Sequence, residues 1–282
     1  MKIHLIGFKR IFKKILLILI RISLFCLLRI ITLYEYLTNY KEVNNNLIIS
    51  LTSFKPRFKE LYLNVISIYI QLPKDAKIII TIAEEERQDF NNACKNLLTL
   101  KKIDVIYTKD IKSYKKLYPV VHLFKNSKII ICDDDILYPY NWLSNLLEES
   151  NKYPNMIVGG RGKIIRRDIQ FPNKFYPYET WKEINGYHGS DILLTGSGGI
   201  VINPAICSEM FLNSDDYIKL CPHNDDLWIR FSNLHIPFRV IENKLTFRAV
   251  NLKKIKSLFE ENQSGRLDKE LNILVSSLDD QV

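Results

Sequence analysis

The stretch KIIICDDDILYP, residues 128–139, determines how the rest of this sequence is interpreted. Its apolar residues 129–132 predict a buried strand, and Asp133, Asp134 and Asp135 follow directly. Three carboxylates cannot be buried without partners, because desolvating an isolated charge is very costly. A divalent cation that also binds substrate phosphates is the best candidate partner. Since ligands of open α/β sheets bind at the carboxyl ends of the strands, the stretch predicts a metal–phosphate site at a strand tip.

The sequence before this stretch alternates between strand and helix patterns. We predict strands at 47–51, 77–82 and 103–107 and helices at 58–71, 84–100 and 114–124. Later segments predict strands at 156–159, 200–203 and 238–240 and a helix at 225–233. Such alternation predicts an α/β fold with a mostly parallel, Rossmann-type central sheet flanked by helices.

The length and charge of the chain limit its organisation and its partners. A chain of 282 residues is one large domain or one domain with appendages. We predict an N-terminal basic amphipathic helix over 1–43, a catalytic domain over 44–255 and a charged helical tail over 256–282. The net charge is +9, but residues 1–30 hold seven basic residues and no acid, so the remainder is nearly neutral. A broad nucleic-acid-binding face is therefore not expected.

The five cysteines are far apart in the sequence and form no CxxC pair. This pattern argues against a zinc site or a disulfide framework and fits a reducing compartment.

Residues 15–33, ILLILIRISLFCLLRIITL, predict a membrane-associating helix. Arg21 and Arg29 interrupt the apolar run, and together with Lys14 they recur near one helical face. We expect this face to meet anionic lipid while the helix lies in the membrane interface. A true span and a helix packed on the protein's own core are the alternatives. The basic flank favours the cytoplasmic face of the inner or plasma membrane, and no signal-peptide cleavage site follows.

Four segments follow one another along the chain: LIISLTSFKPRF at 47–58, YKKLYP leading into ICDDDILYP at 114–139, LTGSGGIVINP at 194–204 and CPHNDDLWIRF at 221–231. In this order they resemble the GT-A-fold glycosyltransferases, and in particular the family 2-like enzymes of bacterial surface polysaccharide and lipopolysaccharide biosynthesis. The resemblance implies a GT-A-like fold and a DXD motif. It also implies transfer of a sugar from a nucleotide-sugar donor to a glycan or lipid-linked acceptor, with Mn²⁺ or Mg²⁺ as cofactor.

The resemblance also implies roles for individual residues. Asp133 and Asp135 correspond to the metal-binding pair, with Asp135 the direct ligand and Asp133 nearer the ribose or sugar. Asp225 or Asp226 corresponds to the general base of an inverting reaction. The donor-binding residues would be Thr52, Ser53, Arg57, Lys115, Lys116, Asp133, Asp134, Gly198 and Gly199. Relatives often have a histidine metal ligand near the end of the domain, but residues 246–251 contain none, which leaves the third metal contact open.

Several of these residues also have a purely structural interpretation. Asp225 and Asp226 could cap the helix that follows them, since Asp is a strong N-cap. Lys115 and Lys116 could lie on a solvated helix face. The aromatic residues and arginines at 161–181 could belong to the core and the surface, or could bind a sugar ring and phosphate; they are Arg161, Arg166, Arg167, Phe171, Tyr176, Tyr178 and Trp181.

Three other functions remain as alternatives. A haloacid-dehalogenase-like Mg²⁺-dependent phosphatase also has a strand that ends in DxD, but that motif opens its domain, whereas three predicted strands precede it here. A sugar nucleotidyltransferase has a glycine-rich loop after its first strand, and residues 51–58 (LTSFKPRF) contain no glycine. An inactive membrane-bound scaffold of the same fold is the non-enzymatic alternative.

Overall fold

The computed structural model describes residues 2–37, 46–168, 170, 174–213, 215–249 and 265–279. The helices are α1 (Lys2–Leu37), α2 (Leu61–Tyr69), α3 (Arg87–Cys94), α4 (Tyr118–Leu123), α5 (Trp142–Lys152), α6 (Glu209–Asn213), α7 (Tyr217–Leu220), α8 (Asp225–Phe231) and α9 (Leu267–Asp279). The strands are β1 (Leu47–Thr52), β2 (Ala76–Ala83), β3 (Ile103–Thr108), β4 (Lys128–Ile131), β5 (Ile136–Leu137), β6 (Ile157–Gly159), β7 (Gly162–Ile164), β8 (Glu183–Ile184), β9 (His188–Gly189), β10 (Ile192–Leu194), β11 (Ile200–Ile202), β12 (Phe238–Val240) and β13 (Arg248–Ala249).

An eight-stranded mixed sheet forms the centre, in the order β3-β2-β1-β4-β11-β6-β12-β9. The four strands from β3 to β4 are mutually parallel, as the strand–helix alternation predicts. Strand β11 then runs antiparallel to both of its neighbours, β4 and β6. The predicted mostly parallel α/β sheet is confirmed, and the antiparallel insertion belongs to the half of the chain where the alternation stops.

All four predicted helices are shorter in the structure than their sequence patterns suggest, and the first two illustrate why. The segment predicted as a helix over 58–71 begins as a 3₁₀ turn at Lys55–Glu60 and becomes α2 only at Leu61. The segment 84–100 is helical only over α3, and Leu97 and Leu100 reach the core from tight turns. Apolar spacing predicts which residues are buried here better than it predicts helix length.

The core lies on both faces of the sheet. Because successive strand residues point to opposite faces, Ile48 and Ile49 of β1 are both fully buried but belong to different apolar clusters. One cluster joins the sheet to α2, α3 and α5, and the other joins it to α4, α8 and α9.

Helix α1 packs along α2 through Leu28, whose exposed fraction is only 2%. Its Glu35 accepts hydrogen bonds from the hydroxyl of Tyr69 and, at 2.9 Å, from the amide of Lys101. The expectation that Arg21 faces lipid is wrong, because its guanidinium lies 2.8 Å from the Glu60 carboxylate on the folded domain. The solvent-facing side of the described part of α1 is mainly apolar instead, with Ile15, Leu16, Ile18, Leu19, Ile22, Phe25, Ile30, Leu33, Tyr34, Tyr36 and Leu37.

Within the described ranges, no helix is both long and apolar enough to cross a membrane. The membrane role of α1 therefore stays a prediction.

Helix α9 is amphipathic, and its apolar side is part of the core. Leu267, Leu271 and Leu274 recur at the spacing of one helical face and are all buried. The same helix carries Glu270, which is also buried and accepts a hydrogen bond from the loop before α8.

The division of the chain into three domains stays a prediction.

Candidate functional site

The site lies where β1 and β4 end side by side. The chain runs from β1 outward through β2 and β3, then returns to add β4 on the other side of β1. This reversal of strand order opens a crevice at the carboxyl ends of the two strands, the usual ligand position of open α/β sheets. Residues 53–57 follow β1 into it, and the aspartates at 133–135 follow β4.

Asn64 and Tyr138 hold the triple-aspartate turn in place. The Asn64 side-chain amide donates to the carbonyl oxygens of Asp133 (2.8 Å) and Ile136 (2.7 Å). The amide of Asp133 donates to the hydroxyl of Tyr138 at 3.1 Å. Asn64 was not predicted from the sequence, although a polar residue inside the apolar run 61–70 was a usable signal.

Arg57 forms ion pairs with two of the three aspartates. Its guanidinium is hydrogen-bonded to the Asp134 carboxylate and lies 3.1 Å from that of Asp135. Asp134 is buried, and burial raises its pKa even though Arg57 and the hydroxyl of Ser53 oppose the shift. The middle aspartate, whose role was open in the sequence, therefore anchors the turn to the segment after β1.

Lys116 is the cation at the centre of the site. Its ammonium lies 2.7 Å from Asp133 and 3.0 Å from Asp225. Burial would lower the pKa of this ammonium, but Asp133, Asp225 and Asp226 outweigh burial and raise the pKa well above its ordinary value. Lys116 is thus a fixed positive charge between two acidic groups that are about ninety residues apart in sequence.

A solvated helix face for Lys115 and Lys116 is wrong, because both side chains are buried. The two lysines have different partners: the Lys115 ammonium pairs with Asp110, whereas Lys116 enters the acidic cluster. Only Lys116 of this pair is brought together with the DXD residues.

Asp225 and Asp226 begin α8 beside the glycine segment 196–199. Asp225 is buried against Lys116, whereas Asp226 is half-buried and accepts a hydrogen bond from the Gly196 amide at 3.0 Å. Burial, followed by the neighbouring Asp225, raises the pKa of Asp226 well above its ordinary value. Neither side chain caps α8 with a hydrogen bond, so the capping interpretation does not account for this pair.

Gly196 is the glycine that the site itself requires. A β-carbon at this position would lie 2.8 Å from the Lys116 ammonium and 2.9 Å from an Asp133 oxygen. Gly199 has φ +81°, and a β-carbon there would lie 2.6 Å from the Trp142 ring. The Gly198 carbonyl accepts a bond from the Trp142 indole at 2.7 Å. The close backbone approaches at Gly198 and Gly199 are thus made to protein groups, and their predicted contact with a ligand stays untested.

The remaining predicted positions within the described residues have local structural partners, and Phe171 lies outside the described residues. Thr52 donates its hydroxyl to the Thr81 carbonyl at 2.6 Å. Tyr178 and Trp181 are buried, which fits the core interpretation, while Tyr176 is exposed with Arg166 over its ring. Arg161 pairs with Glu183.

A second polar cluster lies beside Asp225 and Asp226, and its contacts were not predicted from the sequence. His223 contacts Glu270 and Lys112 through its two ring nitrogens, each at 2.7 Å. Glu270 also accepts a bond from the Asn224 side chain at 2.6 Å. No local sequence signal could have found this contact, because the glutamate lies more than forty residues downstream of its partners.

The acidic turn has the chemistry of a divalent-cation site. Asp133 and Asp135 are partly exposed, and burial together with Asp133 raises the pKa of Asp135 to about 6. Bound positive charge would relieve that repulsion. Within the described residues no group of three or more His, Cys, Asp or Glu side chains is arranged to hold a metal. Two carboxylates still fit Mg²⁺-type coordination, in which water and substrate phosphates supply the other ligands.

No protein-family model and no curated protein matches this sequence. Among solved structures, the inositol-1-phosphate CTP transferase from T. maritima is similar with a TM-score of 0.46 and 10% identity, over 79% of this chain and 97% of that chain. The mannosyltransferase PcManGT from Pyrobaculum calidifontis, in complex with GDP-Man and Mn²⁺, is similar with a TM-score of 0.46 and 11% identity, over 90% of this chain and 74% of that chain. Values this low do not extend either protein's activity to this chain.

Proposed function

We propose that this protein is a metal-dependent glycosyltransferase that moves a sugar from a nucleotide-sugar donor to an acceptor hydroxyl or phosphate. One observation carries the proposal: Lys116 lies between the DXD residue Asp133 and the acid Asp225, at 2.7 and 3.0 Å. Glycosyl transfer needs charge stabilisation for a diphosphate leaving group and, close by, a base for the acceptor. The two acidic groups joined by this lysine meet both needs.

In this proposal the acceptor oxygen attacks the anomeric carbon while the bond from that carbon to the donor diphosphate breaks. A divalent cation, when bound by Asp133 and Asp135, supplies Lewis-acid stabilisation of the leaving nucleoside diphosphate. Lys116 contributes a second, permanent positive charge on the same side. Arg57 holds Asp134 and Asp135 so that the acidic turn is formed before the donor arrives.

Asp226 is the better candidate for the general base. Asp225 is buried and held by Lys116, whereas Asp226 is half-buried and has no ion pair among the described residues. Burial and the neighbouring Asp225 raise the pKa of Asp226, and a higher pKa makes the deprotonated carboxylate a stronger base than an ordinary one. Accepting the proton there implies inversion at the anomeric carbon.

The proposed location is the cytoplasmic surface of a membrane. The support is the apolar outer side of α1 together with the basic residues of its first half. Synthesis of surface polysaccharide or lipopolysaccharide is the corresponding pathway, and it rests on the resemblance alone.

The proposal is tested by incubating the purified full-length protein with UDP-, GDP- and CMP-sugars plus Mn²⁺ or Mg²⁺. Release of free nucleotide, UDP, GDP or CMP according to the donor, abolished by chelation, is the expected result. Asp135→Asn and Asp226→Asn should each reduce it at least about a hundredfold. Asp89→Asn, at an exposed aspartate paired with Lys55, is the matched control and should stay at the wild-type rate.

Two outcomes would replace the proposal. Release of inorganic phosphate from phosphate esters, without nucleotide release, indicates the phosphatase. Release of pyrophosphate from a nucleoside triphosphate and a sugar phosphate indicates a nucleotidyltransferase.

A further inference from the structure

Glu270 on α9 bonds to the loop that leads into α8. It is only 6% exposed, so its charge needs partners inside the protein. One carboxylate oxygen lies 2.7 Å from the His223 ring, and the other accepts the side-chain amide of Asn224 at 2.6 Å. The second oxygen also lies 3.4 Å from the backbone nitrogen of His223 and 3.4 Å from the thiol of Cys221. Three of the four residues before Asp225 therefore contact one side chain of α9.

The Asn224 side chain has an unusual partner for its position. Asn224 is the N-cap residue of α8, where an Asn side chain commonly accepts a hydrogen bond from an amide of the first helical turn. No such bond forms here, and the side chain is bonded to Glu270 instead. A bond to α9 thus takes the place of the usual cap at the start of the turn that carries Asp225 and Asp226.

His223 extends this network beyond the loop. Its second ring nitrogen, Nε2, lies 2.7 Å from the Lys112 ammonium. Because an ammonium only donates, Nε2 accepts and the ring hydrogen is on Nδ1, facing the Glu270 carboxylate. His223 is therefore held in the neutral Nδ1–H form, between a cation and an anion.

Lys112 begins the 3₁₀ turn Lys112–Lys116 in a strained conformation. Its φ of 56° is in the left-handed region that residues other than glycine rarely adopt. Such a conformation persists only where its surroundings impose it. The Lys112 amide donates to the Asp110 side chain at 3.0 Å, and its ammonium contacts His223. The network thus reaches the start of the turn that ends at Lys116.

We propose that Glu270 is a positioning residue of the catalytic centre. It acts through the loop 221–224, which fixes the direction of Asp225 and Asp226, and through the turn that carries Lys116. This inference rests on the proposed glycosyltransferase function, in which these three side chains supply the base and the permanent positive charge.

The proposed donor site is separate from this network. No hydrogen bond or ion pair in the described ranges joins Glu270 to Asp133, Asp135 or Arg57, which have partners of their own. Loss of the Glu270 contacts should therefore slow the reaction step without weakening donor binding, which predicts a change in kcat at constant KM.

Glu270→Gln tests the proposal because it keeps the shape of the side chain. It places an NH₂ group against one of two donors, the His223 ring or the Asn224 amide. We expect kcat to fall at least about tenfold while KM for the nucleotide sugar changes by less than about twofold. Leu274→Ala is the control, since it destabilises α9 by removing a fully buried apolar side chain, and its kcat should stay within about twofold of the wild type. Equal losses of kcat in the two variants would reduce Glu270 to a role in stability.

His223→Leu tests the network at a half-buried position, where the fold is at less risk. It removes both ring contacts and should lower kcat at least about fivefold, again with little change in KM for the donor. Wild-type kcat in this variant would overturn the connection from Glu270 to Lys116.

A second substitution should rescue Glu270→Gln. Adding Asn224→Asp exchanges the carboxylate and the amide, so the new amide donates to the new carboxylate while its oxygen accepts from His223. The rescued kcat should lie within about threefold of the wild type, whereas Asn224→Asp alone sets two carboxylates against each other and should be slower. A double variant no faster than Glu270→Gln would overturn the proposed contacts.

Amide hydrogen exchange separates this inference from the function on which it rests. Residues 221–226 should exchange at least about fivefold faster in Glu270→Gln than in the wild type, with β1 and β4 unchanged. Faster exchange in a protein that turns over no nucleotide sugar would keep the role of Glu270 in fixing the loop and remove the glycosyltransferase assignment. Nucleotide-sugar turnover at the wild-type kcat in Glu270→Gln would do the reverse, and unchanged exchange in 221–226 would overturn the inference whatever the activity.

Discussion

The three consecutive aspartates have three different environments, and the differences decide what each can do. Asp134 is buried under Arg57, Asp133 shares Lys116 with Asp225, and Asp135 is partly exposed with a raised pKa. Only the outer two retain access to a ligand. The sequence predicted this pair from the DxD spacing, but it could not assign Asp134, because Arg57 lies 77 positions away.

Asp135 should destabilise the protein at neutral pH when no metal is present. Its pKa is raised from an ordinary 3.8 to about 6 in the folded state. The folded state therefore binds the proton more tightly, and the stability associated with protonated Asp135 is lost as pH rises from about 4 to above 6. We expect Asp135→Asn to raise the free energy of unfolding at pH 7.5 by about 1–3 kcal/mol, with the difference shrinking towards pH 4.

Chemical denaturation in the presence of EDTA at several pH values measures this difference. Saturating Mn²⁺ should stabilise the wild type and leave Asp135→Asn unchanged, because ligands stabilise only the state that binds them. A variant that is less stable than the wild type at pH 7.5 in EDTA would contradict the assigned pKa direction.

Glu270 should matter for stability more than its exposed neighbours on α9. It is buried and accepts hydrogen bonds from the side chains of His223 and Asn224. Glu270→Ala leaves buried donors without acceptors, and we expect a loss of about 2–3 kcal/mol in the free energy of unfolding. Lys269→Ala, at the adjacent exposed position, is the control and should change stability by less than about 1 kcal/mol.

At the scale of elements, helix α1 shows what a sequence pattern can and cannot establish. The apolar run at 15–33 predicted a helix with two unlike sides, and the helix is present in the structure. The basic residues were assigned to the lipid-facing side because they recur near one face. Arg21 points to the domain instead, since Glu60 neutralises it there, and its partner could not be inferred from helical periodicity.

Two leucines of α1 test which side packs on the domain. Leu28 is 2% exposed and Leu33 is 58% exposed, so the same substitution has different expected costs. Leu28→Ala should lower the free energy of unfolding by about 2–4 kcal/mol through lost burial and a cavity against α2. Leu33→Ala should change it by less than about 0.5 kcal/mol. Urea titrations of the two variants give the comparison, and equal effects would mean that α1 does not pack on α2 as described.

At the scale of the whole molecule, local sequence pattern predicts part of the fold, whereas the pairing of distant segments could not be predicted from the sequence. Strand–helix alternation predicted the first four parallel strands and placed the acidic turn at a strand end. The antiparallel position of β11 depends on where residues 200–202 find neighbours, and nothing local in IVI distinguishes the two directions. The same limit applies to the site: each motif was visible alone, but the Lys116 bridge between them exists only in the folded chain.

The reactivity of the cysteine thiols tests whether the apolar outer side of α1 binds a membrane. Cys26 is exposed on α1, whereas Cys94 and Cys207 have their pKa raised to about 12 by burial. The pKa values of Cys132 and Cys221 are raised by burial as well. Because thiolates are the reactive species, the native protein in solution should show one fast thiol towards a disulfide reagent and four slow ones.

Vesicles containing anionic phosphatidylglycerol should slow the reaction of Cys26 at least fivefold, because the side of α1 that carries it would then be buried among lipids. Vesicles of neutral phosphatidylcholine should slow it less, since the basic first half of the helix contributes attraction only to anionic lipid. Leu33→Glu places a charge on the same side and should restore the fast rate without disturbing the packed side. Fast reaction of wild-type Cys26 at saturating anionic vesicles would mean that this side of α1 stays in water, and the membrane location would then fail while the site chemistry would not.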